Sequence, residues 1–518
     1  MKKILVVGAG NAGRPAAKLL HYLGNEVLVT EIKNFQELPL KARERIKKMR
    51  ENGVKFKFGG HELEDVIWAD SIFVSPNVPR DSIIYKLIEK AGKKDFITPS
   101  MIGRMLNSFI KIPMVGVAGT DGKTTTTNMI KHIIEGRHPT ISFSSLQDSL
   151  VIEGLVDLLI ENRIEGGEFA VFELPHGTIR MTQGLELCAG VITTLTPDHL
   201  DEFKDYDDYI QRNFLIKDLI NEKGILIVNG DDPIINNLLD GLESTHIIYS
   251  LGKGREIEFQ GKKYTTRSLK VDVRAENIRL DGLSGSEFTL KVGSIPTLVC
   301  ENCGSLGCTC KDFKRRCIGP FTSKIRLNVP GIFNVENALA AITTGLILGF
   351  DMDYLRGRIG EFRGIRGRFE VIDEIDGVKV YMDAAHNPES MEKLFEGLEF
   401  NGRLIISLDN PDTLTVRDKF KIGRTLAKVA DLLIVSAKNE TIEEIDWKAA
   451  EEVAKGAEST ETIITGSVYE SIKTGLYNAK KGDMIIHMGP GVVNAYKNVK
   501  KDMKKAIKEY KEKLEWRT

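Results

Sequence analysis

The run GTDGKTT places Gly119, Thr120, Asp121, Gly122, Lys123, Thr124 and Thr125 between an apolar stretch, IPMVGVA, and a segment of helical pattern. A strand that ends in glycines and gives way to Gly-Lys-Thr and a helix aims backbone N–H groups and the positive end of the helix at one point, which suits phosphate oxygens. Lys123 would bridge the outer phosphates as a point charge, and the Thr124 hydroxyl would complete a Mg²⁺ shell. The common spacing G-x-x-x-x-G-K-[ST] is not met, because Val117 stands where its first glycine belongs and Gly116 lies one place early. The chemistry implied is nucleotide binding, from a loop written in a shortened form.

Two further groups of residues could bind something. GAGNAG (residues 8–13) is a G-x-G-x-x-G match between a strand and a helix, and Glu31 ends the next strand, where an acid that binds ribose belongs. Gly10, Asn11, Ala12 and Glu31 are therefore candidate ligand contacts. The same loop serves a dinucleotide or any other diphosphate, or a scaffold with no ligand. The second group is VCENCGSLGCTCKDFKRRC, which brings Cys300, Cys303, Cys308, Cys310 and Cys317 within eighteen residues. Four thiolates suit tetrahedral zinc, and a cluster confined to one short insertion suits a structural clip rather than a catalytic centre. Four of the five would bind the metal; a redox switch or uncommitted thiols are the competing readings. Cys188, far from the others, reads as a small buried hydrophobe.

Chemistry at these points requires elements that hold them. At 518 residues the chain exceeds what one hydrophobic core serves, and about three domains of ~150 residues are expected. Residues 1–109 alternate short β-rich runs (ILVVGAG, EVLVTE, SIFVSPNV) with helical patterns, the rhythm of a parallel sheet. Residues 110–365 open on the phosphate loop and run to the helix NVENALAAITTGLILG. Residues 366–518 alternate again, through VKVYMDAAHNP, RLIISLD, ADLLIVSA and DMIIHMGP. The fold class is α/β in three domains: a Rossmann-like N-terminal domain, a central P-loop ATPase domain with a parallel sheet and the cysteine insertion, and a Rossmann-like C-terminal domain. The lysine-rich tail KNVKKDMKKAIKEYKEKLEWRT reads as a solvated surface helix.

A formal charge of -1, with 28% charged and 7% aromatic residues, gives no general affinity for nucleic acid or anionic membranes. No apolar run reaches 18 residues, and the opening MKKILVVGAG stops in glycines before it could serve as a signal sequence. A cytoplasmic protein that acts as a monomer is expected, with no nucleic-acid or membrane partner.

Several segments, taken in order, resemble the Mur ligase family of ATP-dependent carboxylate–amine ligases, which writes its ATP loop as G-T-x-G-K-T. FELPH (172–176) is similar to the family's acidic strand end, TTLTPDHLDEF (193–203) to its TN-x-x-x-DHLD segment, and VPGIFNVENALAA (329–341) to its G-x-[HF]-N-x-x-N-x-x-A helix. RGRFE (366–370) resembles its hinge arginine segment, DAAHNPES (383–390) its D-x-A-H-N-P-x-S segment, and SPNVPR (75–80) the SPG-x-P loop that holds a UDP-linked substrate. The resemblance implies that Glu173 and His199 join Thr124 on magnesium ions, that Asn334 and Asn337 face the adenine, and that Arg368 contacts phosphate. It further implies that Asp383 binds the ribose, that His386 lies near the reacting groups, and that Ser75, Pro76 and Asn77 contact the UDP moiety.

The departures matter as well. The family's carbamylated lysine would fall at Asn213; Lys217 is one helical turn on, so either a bulge brings Lys217 into place or the carbamate is absent. LPHG replaces a serine pair, leaving His176 as a metal or substrate contact or a turn residue. DNP (409–411) follows the wrong strand and lacks an arginine, so the amine selector would fall near SAKNET (436–441). The implied activity is ATP- and Mg²⁺-dependent addition of a free amino acid to a UDP-linked amino acid or peptide through an acyl phosphate, and the cysteine insertion suggests the archaeal pseudomurein branch. A folylpolyglutamate- or cyanophycin-type ligase, and an NAD-dependent oxidoreductase with a P-loop domain, are the alternatives.

Overall fold

The computed structural model describes every residue except 146–149, 198–202, 260–261, 307–309, 311, 397, 399–400, 412–417, 440–443 and 516–518. Its chain forms two compact units. The first comprises Met1–Gly119, Arg137–Ile192 and Ile210–Leu226, the second Thr120–Gly136, Thr193–Tyr209 and Ile227–Thr518.

In the first unit, the apolar runs of the inner strands are covered on both faces, as a parallel sheet flanked by helices demands, while the edge strand Lys55–Phe58 alternates exposed and half-buried residues. Lys3–Val7 lies at the centre of a five-stranded sheet, with Glu26–Glu31 and then Lys55–Phe58 on one side and Ser71–Val74 and then Phe96–Ile97 on the other. All four pairings are parallel. The chain leaves the central strand toward one side and returns to the other, so the loops after Val7 and Val74 meet at a topological switch point. A second set of parallel strands runs in the order Thr140–Phe143, Phe169–Glu173, Met114–Ala118, Leu187–Ile192. The helix Gly13–Tyr22 faces Val151–Ile160, where Arg14 and Arg45 pair with the buried carboxylate of Glu153 at 3.4 and 2.7 Å. Breaking such a pair strands a charge in the interior, at about 3–5 kcal/mol.

The strand Ile220–Asn229 runs from the first unit into the second. There His246–Ser250 pairs in parallel with Val273–Leu280, which is followed by the antiparallel strands Ser286–Val292 and Phe321–Leu327. These antiparallel strands extend the parallel strands expected for the central block. Their residues alternate buried and half-exposed, as in Ser286–Val292, because only one face meets the core. The helix Ile332–Ile347 is buried at every position but Phe333 and packs along Lys123–Glu135.

The rest of the second unit is a six-stranded sheet in the order Glu370–Ile375, Val378–Asp383, Met484–Met488, Leu404–Leu408, Leu432–Ser436, Thr462–Thr465. Only the first pairing is antiparallel. The terminal helix Tyr496–Glu515 is more than a solvated surface element: Val499, Met503, Ala506 and Ile507 are buried on it, at the helical spacing of one apolar face. Among the described residues no helix is long and apolar enough to cross a membrane.

Candidate active site

The phosphate loop follows the strand Met114–Ala118 and ends at the helix Lys123–Glu135. Gly122 caps that helix at φ 80°, a left-handed conformation that glycine adopts without penalty. Residues 193–196 brace the loop. The Thr120 N–H donates to the Thr194 carbonyl (2.7 Å) and the Thr120 hydroxyl to the Thr196 carbonyl (3.0 Å), while the Asp121 N–H donates to the Thr194 hydroxyl (3.0 Å). The Thr120 hydroxyl also lies 2.7 Å from the Tyr209 hydroxyl. The brace is itself anchored, because Asp232 accepts from the Leu195 N–H (2.8 Å) while capping the helix Pro233–Leu238. Burial raises the Asp232 carboxyl, against the N–H groups of Ile235 and Leu195 that favour its ionised form.

Lys123 folds back so that its ammonium donates to the Thr120 carbonyl at 2.6 Å. Thr124 and Thr125 are buried at the first turn of the helix, where a hydroxyl can reach a cation beside bound phosphate. Asn337 presses on the loop: its Oδ1 accepts from the Thr126 hydroxyl (3.2 Å) and lies 2.4 Å from where a Cβ on Gly122 would sit. Asn334 holds Asn337 in place, accepting from its amide at 3.3 Å and donating to the Pro330 carbonyl at 2.7 Å. The two asparagines expected at the adenine buttress the phosphate loop.

Lys393, on the helix Pro388–Phe395, reaches Asp121 Oδ2 at 3.5 Å. Burial by itself would raise the Asp121 carboxyl, but Lys393, Lys123 and His386 together hold it below the usual carboxylate range. Lys393 escaped the sequence reading. Its signal was its place seven residues after His386, on the helix that follows.

Asp383 closes the strand Val378–Asp383 and accepts from the Phe369 N–H (2.8 Å) and the Ala385 N–H (2.7 Å). Burial raises its carboxyl, opposed by Arg368 and those two amides. It thus fixes the segment that carries Arg368, in which Phe369 adopts φ 46°. His386 Nδ1 lies 2.8 Å from the Ala384 carbonyl. Asp409 and Asn410 are buried, Asp409 accepting from the Gly491 N–H and Asn410 donating to the Ala437 carbonyl, so DNP serves the core here.

In the first unit, Glu173 ends its strand opposite Val117, 4% exposed, and accepts from the Ser145 N–H at 2.8 Å. His176 opens a one-turn helix, His176–Ile179, capped by Pro175. The helix Tyr206–Phe214 stops before Lys217, which lies in a 3₁₀ segment, Leu215–Leu219, and pairs with Asp218 at 3.0 Å in solvent. The shared helical face expected for Asn213 and Lys217 is not formed; Asn213 is buried and Lys217 points outward. His199 lies outside the described residues.

The loop of residues 8–13 is packed tightly by the same logic. The Ala9 N–H donates to Glu31 Oε2 (2.8 Å), and Arg14 donates to the Ala9 carbonyl (2.9 Å) and to Asn11 Oδ1 (3.0 Å). A Cβ on Gly13 would sit 1.8 Å from the Gly8 carbonyl oxygen, so that position must stay glycine. Glu31 acts here as a strut of the loop. Ser75 is 7% exposed, its hydroxyl makes no hydrogen bond, and it lies against Gly8 and Gly13. Around Gly10 there is open space, Ala12 is buried, and Pro76 and Asn77 form the turn closed by Val78 N–H to Ser75 carbonyl (2.9 Å).

Residues 117–303 match the model of the Mur ligase middle domain and residues 367–491 that of the Mur ligase, glutamate ligase domain. An uncharacterized protein of Methanothermobacter thermautotrophicus is 59% identical over 51% of this chain and 84% of its own length. A UDP-N-acetylmuramoyl-L-alanyl-D-glutamate–2,6-diaminopimelate ligase of Clostridium tetani is 27% identical over 78% of each chain. The solved pseudomurein peptide ligase type C of Methanothermus fervidus superimposes with a TM-score of 0.54 at 23% identity, over 96% of this chain and 99% of that one, which establishes a shared fold. The chain belongs to the Mur ligase family, whose members are ATP-dependent acid–amino-acid ligases.

Proposed function

We propose that this protein joins a free amino acid to a UDP-linked amino acid or peptide in cell-wall precursor synthesis of the pseudomurein type, in the cytoplasm, where UDP-activated precursors and ATP are found. The observation that carries the reading is the braced phosphate loop, with Lys123 folded over it, Asn337 wedged on Gly122 and Lys393 held at Asp121. The buried, unsatisfied Ser75 hydroxyl beside the loop of residues 8–13 supports a diphosphate ligand there, since such a group costs about 1–3 kcal/mol unless something hydrogen-bonds to it.

In this reading the acceptor carboxylate attacks the γ-phosphorus of ATP, ADP departs, and an acyl phosphate forms. Lys123 and the loop N–H groups offset charge that builds on the phosphoryl oxygens. By the family resemblance Thr124, Glu173 and His199 would hold magnesium, which would supply further charge neutralisation. Arg368 would reach phosphate and His386 the reacting groups. The amine then attacks the acyl carbon, and the tetrahedral adduct expels inorganic phosphate to leave the amide. Lys217, outward and paired with Asp218, supports a site that works without a carbamate.

The test is ADP release across a panel of UDP-peptides crossed with amino acids. One pair should give amine-dependent turnover and move ¹⁸O from the acceptor carboxylate into phosphate. Turnover without that transfer removes the acyl phosphate, and activity on folate or polyglutamate acceptors alone removes the UDP substrate.

A further inference from the structure

The strands Ile295–Cys300 and Arg315–Ile318 form a two-stranded antiparallel ribbon, with Pro296 opposite Cys317 and Cys300 opposite Arg315. At its tip the chain turns back on itself: the Gly304 N–H donates to the Cys300 carbonyl (2.8 Å) and the Cys300 N–H to the Ser305 carbonyl (3.0 Å), with Gly304 at φ 70°. The turn lays Cys303 over Cys300, and Cys310 returns to the same point. The three sulfur atoms lie within 4.8 Å of one another, and those of Cys303 and Cys310 are 3.8 Å apart.

We propose that Cys300, Cys303 and Cys310 bind a single zinc ion that clips the tip of this ribbon; Cys308, also expected at the metal, lies outside the described residues. Tetrahedral zinc–thiolate bonds of about 2.3 Å put neighbouring sulfurs roughly 3.8 Å apart, the observed separation, whereas a disulfide needs about 2.05 Å. Each thiol loses its proton on binding. Residues 301–305 are exposed, so the tip has little apolar core of its own, and a segment that cannot bury a core needs a covalent or metal staple. Cys317 is excluded. It is exposed on the strand opposite Pro296, and its sulfur is not among the three that meet at the cluster.

The clip acts at a distance from the chemistry. Val299, next to Cys300, packs where a Cβ on Gly349 would sit, 2.7 Å away, at the far end of the helix that carries Asn334 and Asn337. Zinc therefore secures the seat of that helix rather than a reacting group.

The full chain, expressed in zinc-supplemented medium and purified without chelator or a metal-affinity step, should carry about one zinc by elemental analysis. Cys303→Ser and Cys310→Ser should each lower zinc content at least fivefold, and Cys317→Ser and Cys188→Ser should leave it unchanged. Should the first two variants fail to fold, titrating the wild type with a mercurial thiol reagent should release zinc stoichiometrically as thiols are consumed, with hastened proteolysis between residues 300 and 317. Iron in place of zinc, no metal, a Cys303–Cys310 disulfide by mass spectrometry, or zinc lost on replacing Cys317 overturns the assignment. None of these outcomes bears on ligase activity.

Discussion

Gly122 is constrained twice, by its positive φ and by the oxygen of Asn337 standing where a side chain would begin. Gly122→Ala should cost about 1–2 kcal/mol through the left-handed backbone alone, and more by displacing Asn337. Denaturant titration of the double variant with Asn337→Ala should show that the second loss is shared, the two effects falling short of their sum by at least 0.5 kcal/mol. Simple additivity would mean that the asparagine does not bear on the loop. Lys123→Ala should leave the melting temperature unchanged and lower amine-dependent ADP release by about 10²-fold or more, as losing a preorganised charge does. The sequence exposed both residues, because loop chemistry is local. It did not expose Lys393, which meets Asp121 across 272 positions, or Asp232, whose hold on Leu195 depends on how strands are ordered in space.

Among the elements, the strand Met484–Met488 carries an ionisable group inside the core. His487 is fully buried, its Nδ1 lies 2.8 Å from the Ser407 hydroxyl, and its Nε2 has no partner. Burial pushes its pKa down to about 3. The unfolded chain takes up this proton below about pH 6.5 and the folded chain does not, so the contribution is intact above that value and is lost as pH falls from there toward 3. Between pH 7 and 5 the wild type should lose about 2 kcal/mol more than His487→Gln, read from urea midpoints at the two values; parallel losses would place the acid sensitivity elsewhere. Buried strands such as this one were legible as continuous apolar runs. The antiparallel strands between residues 273 and 327 were legible only as strands, since the alternation in VRAENIRL and SEFTLKV marks one buried face but does not say which strand pairs with which.

Over the molecule as a whole, Lys393 brings charge from the C-terminal sheet region to the phosphate loop. The pair with Asp121 is partly exposed and worth under about 1 kcal/mol of stability. Lys393→Ala should therefore leave the melting temperature within a few degrees of wild type while lowering amine-dependent ADP release about tenfold or more. A destabilised variant with unchanged turnover would reduce the lysine to a strut.

The two units are interleaved along the chain: it crosses between them after residues 119, 136, 192, 209 and 226. No single cut can free either one. A piece ending at Leu226 carries the GKT sequence but none of Asp232, Asn337 or Lys393, and the remainder carries those three without the loop and brace residues they hold. Nucleotide capture should thus be silent in both halves, and a nascent polypeptide should remain unable to bind ATP until synthesis has passed Lys393.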